Sequence, residues 1–212
     1  MSRVIDVVAA VLGLLLLAPV LLIVSLLILA MDGHPILFSQ IRIGRKGRPF
    51  RIWKFRTMRR NAEGRPITAA GDTRITRIGS VLRKFKIDEL PQLFNVVRGD
   101  MSLIGPRPEV PEFVSLGAPI WQAVLQVRPG VTDLASLLFR DEEKLLESSS
   151  DPATFYRESV LPAKLVLNVG YLRYRTLRRD IRLLFLTALY SFFPERFNPD
   201  YIKRTVGAGV IR

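Results

Sequence analysis

VVAAVLGLLLLAPVLLIVSLLILAM, residues Val7–Met31, runs without a charge and carries Pro19 near its middle. About 20 apolar helical residues cover the hydrocarbon core of a bilayer, so this stretch is long enough to cross one. Pro19 complicates a straight crossing. An interior proline removes one helical hydrogen bond and clashes with the carbonyl four residues earlier, here Leu15. Arg3 and Asp6 flank the N-terminal edge and resist translocation. Two arrangements follow: a kinked span with the N-terminus outside, or a helix that bends back and leaves both ends on one side. On these residues alone the kinked span is the simpler reading, because membrane helices tolerate proline.

Working outward, Arg42, Arg45, Lys46, Arg48, Arg51, Lys54, Arg56, Arg59 and Arg60 follow, with no acid between Arg42 and Arg60. Positive charge flanking a membrane segment stays in the cytoplasm, which places everything after Met31 there in either arrangement. A secretory signal fits less well, since the apolar run exceeds a usual h-region and only Arg3 precedes it. The remainder, roughly 180 residues, suffices for one cored domain.

The chain has 212 residues, 32 Lys and Arg against 19 Asp and Glu, a net charge of +13, no Cys and one histidine, His34. Disulfides and thiolate metal sites are therefore excluded, and so are metal sites built on paired histidines. Chemistry must come mainly from carboxylates, Lys, Tyr, Ser or Thr. The charge points to a polyanionic partner: nucleic acid, anionic lipid or a phosphate-bearing substrate. The apolar segment favours membrane and lipid.

Ile36–Ile43 and Pro49–Met58 are β-rich and joined by Gly44-Arg45-Lys46-Gly47, which predicts a hairpin. Arg59–Thr73 reads as a loop and Ser80–Lys86 as a short helix. Asp88 opens another helix, with Leu90, Leu93, Phe94 and Val97 on one face, Pro91 in its first turn and Gly99 at its end. Gly105-Pro106-Arg107-Pro108 is stiff and extended. Glu112–Val127 is expected to be an interrupted helix, Pro129-Gly130 a turn, Glu147–Asp151 a surface loop and Ala163–Arg179 a basic helix. Ile181–Phe193 is apolar nearly all round and suits an interfacial helix as well as a core one. No Walker loop or Gly-x-Gly-x-x-Gly is present.

Asp88-Glu89 leads the candidates for chemistry. Two carboxylates at a helix start would be kept ionised by the helix dipole. An ionised Asp can attack phosphorus, and a neighbouring Glu can hold a divalent cation. The plain alternative, a capping Asp and a first-turn Glu, is commoner for such a pair taken alone. Arg107, fixed between two prolines, can present its bidentate fork to phosphate, or can be a surface arginine in a rigid turn. Lys54, between Trp53 and Phe55, neutralises phosphate on one reading and points to water on the other.

Together these runs resemble a known family. Lys54-Phe55-Arg56-Thr57-Met58, followed by DELPQLFNVVRGDMSLIGPRP over Asp88–Pro108, closely resembles the bacterial sugar transferases, the monotopic polyprenol-phosphate phosphoglycosyl transferases that start lipid-linked glycan assembly. The resemblance covers nearly the whole chain, from Arg3 and Asp6 to about Phe193, and is to the minimal form. It implies an α/β protein: a re-entrant membrane helix over residues 1–33 broken at Ala18-Pro19, a small β-hairpin, and a compact, mostly helical catalytic domain over 34–200 with interfacial amphipathic helices. A C-terminal tail would occupy 201–212. It implies a location at the bacterial inner membrane with the catalytic domain on the cytoplasmic face. The implied substrates are a UDP-sugar and polyprenol (undecaprenyl) phosphate, with membrane lipid as a partner and no nucleic acid. In the implied mechanism Asp88 attacks the β-phosphate and expels UMP, forming a covalent aspartyl phosphosugar that polyprenol phosphate then takes up. Glu89 is implied to bind Mg²⁺, Arg107 and Lys54 to handle phosphates, and Arg83, Arg128 and Asp180 to contact substrate. Three positions depart from the family pattern: Ala18 replaces a serine at the helix break, Asp133 stands where many members have glycine, and Leu134–Glu143 differs from the common continuation. The competing reading is a non-catalytic, membrane-anchored basic module for anionic lipid or nucleic acid, which leaves the Asp88–Pro108 block unexplained.

Overall fold

The computed structural model describes residues 2–60, 71–147 and 149–210. The apolar run lies in helix α1 (Arg3–Asp32), capped by the Ser2 side chain, and Pro19 sits inside it without ending the helical run. At 1.5 Å per residue such a helix would extend about 45 Å if straight. One stripe of it packs on the rest of the protein. Asp6, Ala10, Val24 and Ile28 are buried, and Leu14, Leu17 and Leu21 pack against the cores beneath. The opposite face leaves Leu12, Leu15, Leu16, Leu22, Ile23 and Leu26 exposed, with Ala18 and Pro19 on that side. It is the one described helix long and apolar enough to cross a membrane.

Both ends of α1 are tied to the same domain. Arg3 donates to the carbonyls of Val96 at 2.6 Å, Val97 and Met101, while buried Asp6 accepts from Ser102 Oγ at 2.6 Å and from the Leu103 N–H. At the other end Arg56 donates to the carbonyls of Asp32 at 2.7 Å and Gly33 at 2.8 Å. A carboxylate and a guanidinium committed to backbone partners are costly to pull away.

The expected hairpin is present as β1 (Leu37–Ile43) and β2 (Pro49–Phe55), antiparallel with Leu37 opposite Phe55 and Ile43 opposite Pro49. Its turn is a single 3₁₀ turn over Arg45–Gly47. The loop expected over Arg59–Thr73 lies largely outside the described residues, as does part of Glu147–Asp151. Helix α2 (Arg77–Lys84) begins three residues earlier than expected, capped by Thr76.

Asp88 does not open a long helix. It lies in a separate 3₁₀ turn, Ile87–Glu89, entered through Lys86 at φ 56°, and α3 (Gln92–Arg98) follows after Pro91. Gly99, at φ 99°, ends α3 in the left-handed conformation that glycine adopts without a Cβ clash. The face of α3 is also corrected. Leu93 and Val96 are buried with Gln92 and Asn95, whereas Phe94 and Val97 point outward, on the helix that packs most extensively against α1. Apolar periodicity cannot separate a core face from a lipid face, since both are apolar.

The Pro129-Gly130 turn is replaced by a strand. Here β3 (Ser102–Ile104) pairs in parallel with β4 (Gly130–Thr132), and the strands run so close that a Cβ on Gly130 would sit 2.1 Å from the Gly105 nitrogen. The interrupted helix expected over Glu112–Val127 resolves into a 3₁₀ turn at Pro111–Phe113 and α4 (Pro119–Val124). Beyond β4 come α5 (Leu134–Leu138), α6 (Glu142–Glu147) and α7 (Pro152–Phe155). A π-turn over Tyr156–Val160 leads into α8 (Leu161–Arg173), which stops before α9 (Leu177–Phe192). In α9 the apolar stretch is divided between two faces: Leu183, Leu186 and Tyr190 are buried, and Ile181, Phe185 and Phe192 are exposed. The division at residue 200 falls inside α10 (Pro199–Thr205), whose Ile202, with Val206 just beyond, is fully buried in the principal core. That core joins α1, β2, α3, β3, α5, α8, α9 and α10.

Candidate active site

Three short segments converge at one place. β2 delivers Lys54, the 3₁₀ turn delivers Asp88 and Glu89, and the extended segment after β3 delivers Arg107. Lys54 Nζ lies 2.9 Å from Glu89 Oε1, Arg107 Nη1 donates to Glu89 Oε2 at 2.9 Å, and Arg107 Nη2 also donates to Oε1. The four residues with the strongest sequence claim are thus brought together.

The positions have local causes. Buried Asn95 accepts from the Trp53 N–H at 3.1 Å and donates to the Arg51 carbonyl at 2.7 Å, which locks α3 to β2 on either side of Ile52, just before Lys54. Asp133, the residue that departs from the family pattern, caps α5 through Ser136 and also accepts from the Arg107 N–H at 3.0 Å. Glycine at this position would offer the Arg107 N–H no side-chain acceptor.

The two adjacent carboxylates behave oppositely. Burial pushes Asp88 up to about 6, and the Glu89 charge adds to this against the pull of Lys54, Lys86 and Arg83. Its Oδ1 is buried with no hydrogen-bond partner. The expectation that a helix dipole lowers its pKa is therefore overturned, because Asp88 is enclosed in a short turn and desolvation dominates. Burial also acts to raise Glu89, but Arg107 and Lys54 outweigh it and hold the group well below the usual carboxylate range. Burial lowers Lys54, with Glu89 opposing. In Arg107 the Glu89 charge overcomes burial and raises the guanidinium further.

Beside this cluster lies a cavity of about 170 Å³, lined by Arg83 and Arg107 at the cluster and by Arg42, Glu109, Glu142, Tyr156 and Lys164 beyond it. Arg83 thus reaches the site, paired with Glu143. Arg128 and Asp180 are engaged elsewhere. Arg128 Nε donates to the Gly99 carbonyl at 3.0 Å, at the far end of α3 from Asp88. Asp180, fully buried, accepts from Tyr171 at 2.8 Å and from Arg175 at 3.0 Å, and Arg175 in turn donates to the Ile104 carbonyl at the end of β3. Asp180 therefore supports the segment that carries Arg107 rather than facing the cavity.

Sequence reasoning missed Arg42, Lys86, Asn95, Glu109, Glu142, Tyr156 and Lys164. Glu109 directly follows Gly-Pro-Arg-Pro, the one usable signal; the pairs Lys164–Glu142 and Tyr156–Glu109 meet across 22 and 47 residues of chain.

Comparison with known proteins gives a consistent result. The family model described as bacterial sugar transferase matches residues 1–194. A UDP-glucose:undecaprenyl-phosphate glucose-1-phosphate transferase of Caulobacter vibrioides is 40% identical over 191 residues, 88% of this chain and 67% of that protein. A UDP-N-acetylgalactosamine-undecaprenyl-phosphate N-acetylgalactosaminephosphotransferase of Aeromonas hydrophila is 44% identical over 142 residues, 65% of this chain and 34% of that one. An undecaprenyl-phosphate glucose phosphotransferase of Komagataeibacter xylinus is 36% identical over 201 residues, 91% of this chain. The chain spans two thirds of the first of these relatives and about a third of the other two, 34% and 36%.

Proposed function

The chain belongs to the bacterial sugar transferase family, and from that premise we propose that it moves a phosphosugar from a UDP-sugar to polyprenol phosphate at the cytoplasmic face of the membrane. The observation that carries this reading is the buried Asp88 with a free Oδ1, set beside a Glu89 already gripped by Lys54 and Arg107. One carboxylate is available as a nucleophile; the other organises the cations that receive phosphate.

In the proposed step the Asp88 carboxylate attacks the β-phosphorus, the bond from that phosphorus to the oxygen bridging the α-phosphorus breaks, and UMP departs with that oxygen. The aspartyl phosphosugar is then attacked by an oxygen of polyprenol phosphate, which frees the carboxylate and yields polyprenol diphosphate-sugar. Arg107 and Lys54 offset the charge that gathers on the phosphoryl oxygens. Asp88, partly protonated near pH 6, must lose its proton before it attacks.

Mg²⁺ fits this donor set in one particular way. Among the described residues no group of three metal-ligating side chains exists. Mg²⁺, however, commonly binds through one or two carboxylates together with substrate phosphates and water. Asp88 Oδ1 is unpartnered, and Glu89 Oε2 accepts from Arg107 Nη1 with a lone pair left over. Glu89 would hold the ion, which when bound neutralises diphosphate charge, beside the Asp88 carboxylate kept for attack.

The topology supported is re-entrant. Arg3 and Asp6 bind the domain at Val96–Leu103, and Asp32 and Gly33 bind it through Arg56, contacts that support a path with both ends of α1 on the domain's side. The exposed face of α1, with Phe94, Val97, Ile181 and Phe185, then meets lipid. Relatives are named for glucose or N-acetylgalactosamine, so the family alone does not choose the hexose.

The test is UMP release from a panel of UDP-sugars in the presence of polyprenol phosphate. Release with at least one sugar is expected. No release with any, combined with salt-sensitive binding of nucleic acid, would favour the non-catalytic basic module instead.

A further inference from the structure

The cavity beyond Arg107 is walled by a connected set of side chains that the proposed phosphoryl transfer does not use. Tyr156 OH donates to Glu109 Oε1 at 2.6 Å, and Lys164 Nζ donates to Glu142 Oε2 at 2.8 Å and to Tyr156 OH at 3.4 Å. Arg42 lies 3.8 Å from Glu109 and its Nε is buried without a hydrogen-bond partner. Tyr156, Lys164 and Glu109 are themselves buried. Burial, reinforced by Glu109, raises the Tyr156 phenol, so it remains a neutral donor.

What would such a space hold? At about 170 Å³ it is smaller than the ~300–1,000 Å³ of sites for whole drug-sized ligands, so it accepts one ring rather than an entire nucleotide sugar. A nucleobase wants an open aromatic face. Here Phe113 and Tyr156 pack on each other at 5.3 Å, Arg157 covers the Phe113 ring at 5.5 Å, and Lys164 covers Tyr156 at 5.3 Å. A polyprenol chain wants an extended apolar wall, and here Val110 and Phe113 stand among eight charged or polar lining side chains. Phosphate is drawn to Arg107 and Arg83 and repelled by Glu109 and Glu142. Fixed carboxylates alternating with an ammonium and a phenol instead match a ring that carries several hydroxyls.

We propose that this cavity is the sugar subsite, and that Glu142, Lys164 and Tyr156 select which hexose is accepted. The inference rests on the transferase reading above. Glu142 opens α6 and Tyr156 opens the π-turn before α8. A site built to hydrogen-bond particular hydroxyls discriminates strongly, because a misplaced hydroxyl leaves buried polar groups unpaired. The side chains are held by one another before substrate arrives, which is what makes the discrimination sharp.

The experiment uses the full chain in lipid nanodiscs with Glu142→Gln and Tyr156→Phe, the second removing one hydroxyl with little change of shape. UMP release is measured for UDP-glucose, UDP-galactose and UDP-N-acetylgalactosamine, and binding of these and of plain UDP by calorimetry. The expected result is a fall of about tenfold or more in the kcat/KM ratio between the preferred sugar and the next, with UDP affinity unchanged within about twofold. An equal loss for every sugar and for UDP would overturn the proposal, since the cavity would then serve the nucleotide or the fold. Unchanged ratios in both variants would overturn it too. Should the wild type release no UMP from any sugar, the reaction itself is wrong; a UDP-sugar affinity that exceeds that of UDP and falls in the variants still reads the subsite separately.

Discussion

Arg107 meets Glu89 two-on-two: Nη1 donates to Oε2 at 2.9 Å and Nη2 to Oε1, while Lys54 approaches Oε1 from β2 at 2.9 Å. The adjacent Asp88 has no such partner on Oδ1. Two neighbouring carboxylates are thus pushed in opposite directions, Glu89 down by its cations and Asp88 up by burial. Divergent environments of this kind assign different roles to like groups.

Asp88→Asn should stabilise the protein at neutral pH. Folded Asp88 titrates at about 6 against an ordinary 3.8, so the folded state holds the proton more tightly. Its favourable contribution is complete below about pH 3.8 and is lost as pH rises through about 6. Thermal unfolding in detergent at pH 7.5 should show the Asn variant more stable by about 1–3 kcal/mol. The difference should shrink toward zero near pH 4. A less stable variant at pH 7.5 would count against the burial argument.

The rate of UMP release before polyprenol phosphate is added should follow the same titration. Attack requires ionised Asp88, so the single-turnover rate should climb through about pH 6 and level off above it. Quenched-flow measurement between pH 5 and 8 checks this. A rate that falls with rising pH across that range would contradict the role given to the carboxylate.

Glu89→Gln should act in the opposite sense to Asp88→Asn on stability. It strands Lys54 and Arg107, both largely enclosed, without their counter-charge. Breaking one side of a buried ion pair costs about 3–5 kcal/mol. Unfolding in detergent should show that loss, and added Mg²⁺ should not restore activity. Unchanged stability would mean that the two cations find other partners.

Much of this was legible before the structure. The hairpin announced itself through alternation and its Gly-flanked turn, and Lys54, Asp88, Glu89 and Arg107 could be named from the block that carries the family resemblance. The face of α3 could not be read correctly. Phe94 and Val97 are as apolar as Leu93 and Val96, and only packing separates the exposed side from the core. The parallel pairing of β3 with β4 was hidden because each strand has three residues and Pro129-Gly130 resembles a turn. Arg128 and Asp180, expected as substrate contacts, are engaged with a backbone carbonyl and with neighbouring side chains, partners that no sequence pattern announces. The cavity wall assembles from β1, α2, the segment after β3, α6 and the π-turn with α8, and no local pattern announces Tyr156 beside Glu109.

Asn95→Ala tests how Lys54 is positioned. Removing the amide frees the Trp53 N–H and the Arg51 carbonyl on β2. A loss of about 1–3 kcal/mol is expected from the groups left unpaired. The KM for the UDP-sugar should rise, and Asn95→Asp, which keeps only the acceptor, should recover the Trp53 bond alone. No change in KM for either variant would show that β2 holds its place without α3.

The topology is open to a direct labelling test, because the chain contains no cysteine. Ser2→Cys places a thiol beside Arg3 and Asp6, which are bonded to the domain. An impermeant maleimide should label it in inverted membrane vesicles, which expose the cytoplasmic face, and not in intact spheroplasts. Labelling in intact spheroplasts would restore the spanning helix.

The central claim is that Asp88 becomes covalently bonded to the phosphosugar. The full chain in lipid nanodiscs, mixed with the UDP-sugar that supports turnover and no polyprenol phosphate, is digested and analysed by mass spectrometry. The account predicts up to one UMP released per enzyme and a phosphohexose adduct on the peptide bearing Asp88, absent in Asp88→Asn and discharged when polyprenol phosphate is added. UMP release that requires polyprenol phosphate and persists in Asp88→Asn would contradict it.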